Sequence, residues 1–331
     1  MNLVQFMKNR FQKIKHKKKI SQLSTLYDLL RQQWEQTIEA HATHWVLNLR
    51  LNAPFVSKNI LNYSISREKK TCCIFAAGAS LEQYEDRIHR LKQKSEVFII
   101  ASPTVIPWMM KHNCAPDIVI AVDKHENMYS WLKLSDWNGP VILPTIGNTK
   151  VASHYDIWWF NITMGRPGYI PLIDAVTKVQ YPELPSFPSL GHVTAHALQI
   201  MIELVFAKRA NFERYVLCGA DYGYWNDKAR IPIINETEVN IDPTEMIEIN
   251  GVKTNYKMAL YKERLYAFWE ANPIPLYSLS DGLLHEIPKV SLYDILASRF
   301  PFPTKKEAIA KYHMEYLTKT LPESILPKMV K

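Results

Sequence analysis

Short apolar segments alternate with amphipathic segments over most of the chain, and this alternation predicts the fold. Nearly continuous apolar runs are typical of strands buried on both faces, and a helical repeat indicates an amphipathic helix. The predicted strands cover 71–76, 96–101, 117–122, 140–144, 156–160, 214–218 and 274–279. The predicted helices cover 21–50, 81–94, 104–112, 126–134, 193–208 and 257–271. Buried strands separated by helices indicate a Rossmann-like α/β fold, with a mostly parallel sheet and helices on both faces.

The same pattern divides the chain into segments. We expect a basic tail over 1–20, an N-terminal helical extension over 21–66, a Rossmann-like domain over 67–303 and a C-terminal helix over 304–331. Residues 165–189 are rich in proline and predict a loop, long enough to cover a substrate. Residues 222–250 also have an irregular pattern, which predicts a second long loop.

The positive charge is concentrated at the N-terminus. The formal net charge is +8, and residues 1–19 hold seven Lys and Arg without an acidic residue, so the rest of the chain is close to neutral. A body this balanced is not typical of nucleic-acid-binding proteins, and no nucleic-acid partner is expected. The tail has apolar residues at helical spacing, which is typical either of a solvated tail or of a segment that contacts an anionic membrane surface.

Other sequence features concern the cellular compartment. The chain has neither an apolar run of about 18 residues nor an apolar segment after the basic N-terminus that would make a secretory signal. The four cysteines form no CxxC pair, which favours reduced, buried thiols. We therefore expect a cytoplasmic protein, with peripheral contact to the inner membrane face as an alternative for residues 1–19.

Glycine and polar residues cluster where the predicted strands end. Ligands of parallel α/β sheets bind beyond the carboxyl ends of the strands, so these residues predict a ligand site. Glycine is rare, with 10 in 331 residues, and a glycine at such a turn permits close approach of a ligand or of neighbouring backbone. The residues expected at this edge are Gly78, Ser80, Ser102, Asp123, Thr145, Gly219 and Asp221.

Two turns have the features of phosphate-binding loops, because free amides at a helix start attract anions. The first contains Gly78, Ala79, Ser80 and Leu81, and its Ser80 and Gln83 have the spacing of a capping box. The second contains Gly191, His192, Val193 and Thr194. Neither turn is a P-loop or a complete GxGxxG motif, so a purely structural turn remains the alternative.

Several side chains are candidates for chemistry. Asp221 follows Gly219 at a strand end, beside Tyr222, and is a candidate for orienting a sugar. His285 lies just past an apolar strand and is a candidate general base, or else a surface histidine. Asp123 also ends a strand, where either a functional or a structural role is open.

No metal site is expected. His192 and His196 have a spacing that metal ligands use, but they form no HExxH motif and no third ligand is evident, so His192 is interpreted as a phosphate or sugar contact. The sequence also has no DxD pair of the kind that holds a metal against a leaving diphosphate. A monophosphate leaving group needs less neutralisation, and helix amides with tyrosine hydroxyls can suffice.

The order of these motifs resembles the motility accessory factor (MAF) glycosyltransferases, whose core domain is shared with archaeal 6-hydroxymethylpterin pyrophosphokinases. The plan is also similar to that of bacterial sialyltransferases that use CMP-activated nonulosonic acids. The resemblance covers about residues 60–300 and rests on Gly78-Ala79-Ser80-Leu81, Pro116-Asp117 with Asp123, Gly191-His192-Val193, Gly219-Ala220-Asp221, Gly251-Val252-Lys253-Thr254 and Ser280-Asp281-Gly282. The chain departs from the family pattern at Ala76, Ala79, Leu190 and His192, and the last two alter the second loop most.

The resemblance implies transfer of a sialic, pseudaminic or legionaminic type of acid from a CMP-activated donor to a protein or glycan hydroxyl. The loops Gly78–Leu81 and Gly191–Thr194 would then bind the nucleotide phosphate, Asp221 and Tyr222 would hold the donor, and His285 would take the acceptor proton. The first alternative is a pyrophosphokinase that transfers diphosphate from ATP to 6-hydroxymethyl-dihydropterin, with Mg²⁺ held by Asp117, Asp123 and Asp221. The second is a non-catalytic binding relative, for which the altered Leu190 and His192 are the best support.

Overall fold

The computed structural model describes residues 41–124, 126–163, 171–226, 228, 230–231 and 246–300. The predicted basic tail 1–20, the first part of the predicted helix 21–50 and the predicted C-terminal helix 304–331 lie outside these residues.

An eight-stranded sheet forms the centre of the fold, and an antiparallel hairpin of two strands lies apart from it. The strands are β1 (Thr71–Phe75), β2 (Val97–Ala101), β3 (Ile118–Ile120), β4 (Val141–Pro144), β5 (Ile157–Thr163), β6 (Ser186–Pro188), β7 (Arg214–Cys218), β8 (Met246–Ile249), β9 (Val252–Asn255) and β10 (Leu276–Ser278). The sheet order is β10-β7-β1-β2-β3-β4-β5-β6, and every neighbouring pair is parallel. The predicted Rossmann-like α/β fold is confirmed.

Helices connect the strands of this sheet. They are α1 (41–52), α2 (Ile106–Lys111), α3 (Asn127–Leu134), α4 (Thr149–His154), α5 (Pro171–Gln180), α6 (Val193–Phe206), α7 (Tyr256–Ala271) and α8 (Leu292–Leu296). Within the residues described, no helix combines the length and the apolar character needed to cross a membrane.

The strands are buried because their sequences are apolar on both faces. Every residue of β1 (TCCIF) and of β2 (VFIIA) is buried. Burial at both faces follows when helices cover both sides of a parallel sheet, and it removes large apolar area from water. The four cysteines are buried free thiols, as the sequence predicted.

One predicted helix is wrong in type. The helix predicted over 81–94 is instead two 3₁₀ helices, Ala79–Tyr84 and Ile88–Gln93. The first of them begins after Gly78 without a side-chain cap, so the predicted capping box is absent. The Ser80 hydroxyl does not cap the helix because it donates a hydrogen bond to Asp221, which is distant in the sequence.

The segment predicted as a loop over 165–189 contains regular structure. Pro171 starts α5, where the fixed φ of proline suits the first helical position and its missing N–H costs nothing. Ser186–Pro188 then adds the edge strand β6 beside β5. The proline-rich composition led to the prediction of a loop, but proline is also common at the first position of a helix and in edge strands.

The second predicted loop, 222–250, includes the strand β8, which pairs with β9 in a hairpin. Asn250 (φ 52°) and Gly251 (φ 78°) make its two-residue turn. Asn-Gly is the dipeptide that such hairpin turns prefer, because both residues tolerate a positive φ. The sequence therefore held a signal for this hairpin that its irregular pattern obscured.

The sheet topology places the ligand edge. From β1 the chain runs outward through β2 to β6, and it then returns to place β7 on the other side of β1. The order reverses between β1 and β7, and the crevice beyond the carboxyl ends of such strands is where α/β sheets bind ligands. The turns that follow β1, β7 and β10 meet there.

Candidate functional site

The turns after β1 and β7 are joined by Asp221. Its Oδ2 accepts a hydrogen bond from the Ser80 amide at 2.9 Å, and its Oδ1 accepts one from the Ser80 hydroxyl at 2.5 Å. The Gly78 amide also donates to the Gly219 carbonyl at 2.8 Å. Two turns that are far apart in the sequence are therefore held as one unit.

Gly78 is required by this contact. A Cβ at Gly78 would lie 2.3 Å from the Gly219 carbonyl oxygen and 2.5 Å from Cγ of Asp221. The turn was predicted to cradle a phosphate, but three of its four amides bond within the protein: Gly78 to Gly219, Ser80 to Asp221, and Leu81 to the Gly78 carbonyl. Because those amides already have partners, the first turn is less suited to bind an anion than the second predicted loop, Gly191–Thr194.

Burial is the main influence on the pKa of Asp221. The residue is 3% exposed, and burial raises the pKa of its carboxyl, while the two bonds from Ser80 act in the opposite direction. Asp281 in the neighbouring turn also raises this pKa. Both carboxyl oxygens of Asp221 thus bind the turn that contains Ser80.

The turn after β10 completes the edge. The Leu283 amide donates to the Asp221 carbonyl at 2.8 Å, and the Ser280 hydroxyl accepts from the Ala220 amide at 2.7 Å. A Cβ at Gly282 would lie 1.7 Å from the Asp221 carbonyl oxygen. Close backbone contact between the β7 and β10 turns therefore requires glycine at 282.

The second predicted loop lies at the start of α6. His192 is the N-cap residue of this 14-residue helix, and it makes no side-chain cap. Tyr222 reaches it from the β7 turn, with the tyrosine oxygen 2.7 Å from Nε2 of His192. Burial raises the pKa of the Tyr222 hydroxyl, while Thr194 acts to lower that pKa, so Thr194 lies close to the tyrosine oxygen. Three residues that the sequence predicted as ligand contacts, His192, Thr194 and Tyr222, are thus brought together.

Tyr222 has an unusual backbone. Its φ of 51° lies in the left-handed region, which is costly for an aromatic residue. The Thr254 hydroxyl donates to the Tyr222 carbonyl at 2.7 Å and helps to hold this conformation. The effect is to direct the Tyr222 ring toward the start of α6, where it packs edge-on against His192 with ring centroids 5.0 Å apart.

A guanidinium group lies against the same helix start. Gly191 has φ 88°, and a Cβ there would lie 2.4 Å from Nη1 of Arg264 and 3.0 Å from the Tyr261 ring. Tyr261 and Arg264 both project from α7, and the Tyr261 ring lies 5.3 Å from that of His192. Gly191 therefore permits the arginine to lie directly beside the turn that precedes α6.

The two histidines of this region are kept neutral. Burial lowers the pKa of His192 to about 3, with His196 and the Arg264 guanidinium acting in the same direction. Burial also lowers the pKa of His196 to about 4, again assisted by Arg264. Uncapped helix amides and a guanidinium, beside neutral imidazole and phenol groups, are suited to binding a phosphate or carboxylate.

The remaining predicted residues are dispersed along the edge. Ser102 is buried at the end of β2, and Thr145 is buried after β4, where its hydroxyl donates to Asn161 at 2.9 Å. Asp123 and His285 are exposed, after β3 and β10 respectively. The structure thus places these side chains apart from the group formed by His192, Tyr222 and Arg264.

The three carboxylates of the magnesium alternative do not form one site. Asp117 precedes β3, at the opposite edge of the sheet, where it pairs with Lys92 and accepts from the Ile99 amide at 2.7 Å. Asp123 and Asp221 follow β3 and β7, which are three strand spacings apart, or about 14 Å. Across the described part of the chain, no group of three or more His, Cys, Asp or Glu is placed to hold a metal ion.

Tyr261 and Arg264 were missed from the sequence. Their spacing, together with Lys257, puts all three on one face of α7, which is the signal that was available. That face points to a loop far away in the sequence, and helical periodicity alone does not identify which loop.

The low pKa of His196 predicts acid sensitivity. His196 is 2% exposed, and its pKa falls from 6.5 to about 4 on folding, so the unfolded chain takes up a proton that the folded chain excludes. The free energy of unfolding should therefore decrease as the pH falls from about 7 to about 5. Urea unfolding at both pH values should show a smaller decrease for His196→Gln, and equal decreases would contradict this assignment.

Comparison with known proteins identifies the family. A family model named 6-hydroxymethylpterin diphosphokinase MptE-like matches residues 46–227. Among solved structures, MAf glycosyltransferase from Magnetospirillum magneticum AMB-1 has a similar fold, with a TM-score of 0.54 and 15% identity, over 82% of this chain and 42% of that one. The chain thus spans less than half of this neighbour, and no curated protein sequence matches it. Because the family model covers more than half of the sequence, the chain belongs to the 6-hydroxymethylpterin diphosphokinase MptE-like family.

Proposed function

We propose that this protein is a glycosyltransferase that moves a nonulosonic acid from a CMP-activated donor to a hydroxyl of a protein or glycan. The observation that carries the proposal is the group of residues at the start of α6, where Tyr222 and Arg264 lie beside His192 and Gly191 in an arrangement suited to an anion. The fold shared with a protein named as a glycosyltransferase over 82% of this chain supports it.

The chemistry suits that site. In such a transfer the bond between the sugar and the CMP phosphate breaks, the acceptor oxygen bonds to the sugar carbon, and the acceptor proton passes to a base. The departing phosphate keeps the bonding electrons, so positive groups and oriented amides around it lower the barrier. The amides of α6 and the Arg264 guanidinium are the groups placed to do so.

We propose His285 as the general base, as the sequence analysis did. It is exposed in the turn that follows β10, at the same edge of the sheet as the donor site. An acceptor protein or glycan would approach from solvent, so an exposed base is accessible to its hydroxyl. Asp221 has a different proposed role, since its carboxyl group holds Ser80 and thereby shapes the edge.

A second candidate is diphosphate transfer from ATP to a hydroxymethylpterin, which the name of the matching family model favours. That reaction uses magnesium ions that bridge the phosphates. The set Asp117, Asp123 and Asp221 is spread over both edges of the sheet, so this candidate requires a different set of ligands. The non-catalytic alternative requires only the ligand site.

Binding of nucleotides separates the candidates. CMP without added metal should raise the melting temperature, because helix amides and a guanidinium supply the positive potential that a phosphate needs. At a concentration near 100 times Kd the stabilisation should be about 2.7 kcal/mol. Differential scanning fluorimetry with CMP, CDP, ATP and a pterin, each with and without Mg²⁺, measures this.

Cytidine is the matched control, since it has the base and sugar of CMP without the phosphate. We expect it to shift melting much less than CMP. A shift with ATP and Mg²⁺ alone would replace the transferase proposal with the diphosphokinase, and CMP binding without turnover of any activated donor would favour the binding relative.

The contact of residues 1–19 with an anionic membrane and the cytoplasmic localisation both remain predictions. So does the expectation that the transferase uses no metal cofactor. The identity of the acceptor is likewise a proposal at the level of chemistry, a hydroxyl on a protein or a glycan.

A further inference from the structure

Arg264 differs from the other polar groups at the start of α6 because it carries a permanent charge. We propose that Arg264 is the residue that binds the nucleotide phosphate and thereby selects phosphorylated ligands, an inference that rests on the site of the proposed function. Its Nη1 would lie 2.4 Å from a Cβ at Gly191, so the guanidinium is directly beside the turn that opens the helix.

The side chains around Arg264 indicate that its charge is important for attracting an anion. His192 and His196 both lie at the helix start, and both are neutral because burial lowers their pKa values to about 3 and about 4. They therefore offer hydrogen bonds without positive charge. The attraction for an anion then comes from Arg264 together with the helix amides.

His196 packs against the same turn, and one of its ring nitrogens lacks a hydrogen-bond partner. The Leu190 amide contacts its Nε2 at 3.4 Å, which places the imidazole against the turn 190–192. Its Nδ1 is buried and has no hydrogen-bond partner in the protein, although the residue is only 2% exposed. Buried polar atoms are nearly always paired, and an exception calls for a specific explanation such as a ligand or water.

Phosphate fits these groups better than a sugar carboxylate does. A guanidinium presents parallel N–H donors that match two oxygens of a phosphate, while further oxygens remain for helix amides. A carboxylate has only two oxygens, so a bidentate arginine leaves no further oxygen for the helix amides. The donor contains both kinds of anion, so the experiment must separate them.

Arg264→Met removes the charge and keeps much of the apolar stem. Isothermal titration calorimetry should show a loss of CMP affinity of about 10- to 100-fold, the range expected for a charge-assisted hydrogen bond. Affinity for cytidine should not change, and Arg264→Lys should recover part of the CMP affinity. Arg209→Met is the matched control, because Arg209 is exposed beyond the opposite end of α6.

The outcomes distinguish this inference from the proposed function. Unchanged CMP affinity in a folded Arg264→Met protein overturns the inference while the transferase proposal stands. If the wild type binds ATP instead of CMP and Arg264→Met weakens that binding, the inference holds and the transferase proposal fails. Absence of binding for both nucleotides overturns both. Circular dichroism and melting of each variant confirm that the compared proteins are folded.

Discussion

Gly282→Ala is expected to lower the free energy of unfolding by about 3 kcal/mol or more, at the upper end of the range for overpacked sites. The added Cβ would lie 1.7 Å from the Asp221 carbonyl oxygen and 2.4 Å from its carbonyl carbon. That carbonyl cannot move away freely, because it accepts the Leu283 amide at 2.8 Å. Relief of the overlap requires separation of the β7 and β10 turns, and urea unfolding of both proteins measures the cost.

Gly251→Ala provides the contrast. Gly251 has φ 78° in the hairpin turn, and a Cβ there would meet no atom within 4 Å. This variant tests the cost of left-handed backbone alone, which is about 1–2 kcal/mol. Gly282→Ala should be clearly less stable than Gly251→Ala, and equal stabilities would show that the two turns are not held in contact.

The central sheet was predictable because its signal is local. Runs such as Thr71–Phe75 and Val97–Ala101 are apolar throughout, and only burial on both faces explains such runs in a chain with many intervening amphipathic segments. The same reasoning placed Gly78 and Asp221 at the ligand edge, because carboxyl ends of parallel strands share one edge. The apolar pattern alone therefore predicted both the fold class and the edge of the sheet at which the candidate site lies.

The contacts between turns were not predictable, because they join residues far apart in the sequence. The capping box at Ser80 and Gln83 was a sound local interpretation, yet Asp221, more than a hundred residues later, takes the Ser80 hydroxyl instead. The amides that looked available to a phosphate are engaged for the same reason. Arg264 was missed because its importance depends on Gly191, with which it shares no sequence motif.

Asp221→Ala is expected to lower the free energy of unfolding by about 3 kcal/mol. The Ser80 amide and hydroxyl would both lose their acceptor in a buried site, and each unsatisfied group costs about 1–3 kcal/mol. Asp221→Asn should instead stay within about 1 kcal/mol of wild type, since the amide oxygen can accept from the Ser80 amide and the amide nitrogen can donate to the Ser80 hydroxyl. Urea unfolding of the three proteins at neutral pH tests this order.

The pH dependence gives a second test of the same residue. The pKa of Asp221 is raised on folding by burial, so the folded protein binds this proton more tightly than the unfolded chain does. Its contribution to stability is therefore largest in acid and is lost as the pH rises through the folded-state pKa. Asp221→Asn removes this ionisation and should gain stability relative to wild type as the pH rises through that range. If Asp221→Asn is as stable as wild type but inactive in transfer, the carboxylate takes part in the reaction itself, and the positioning role assigned to it is wrong.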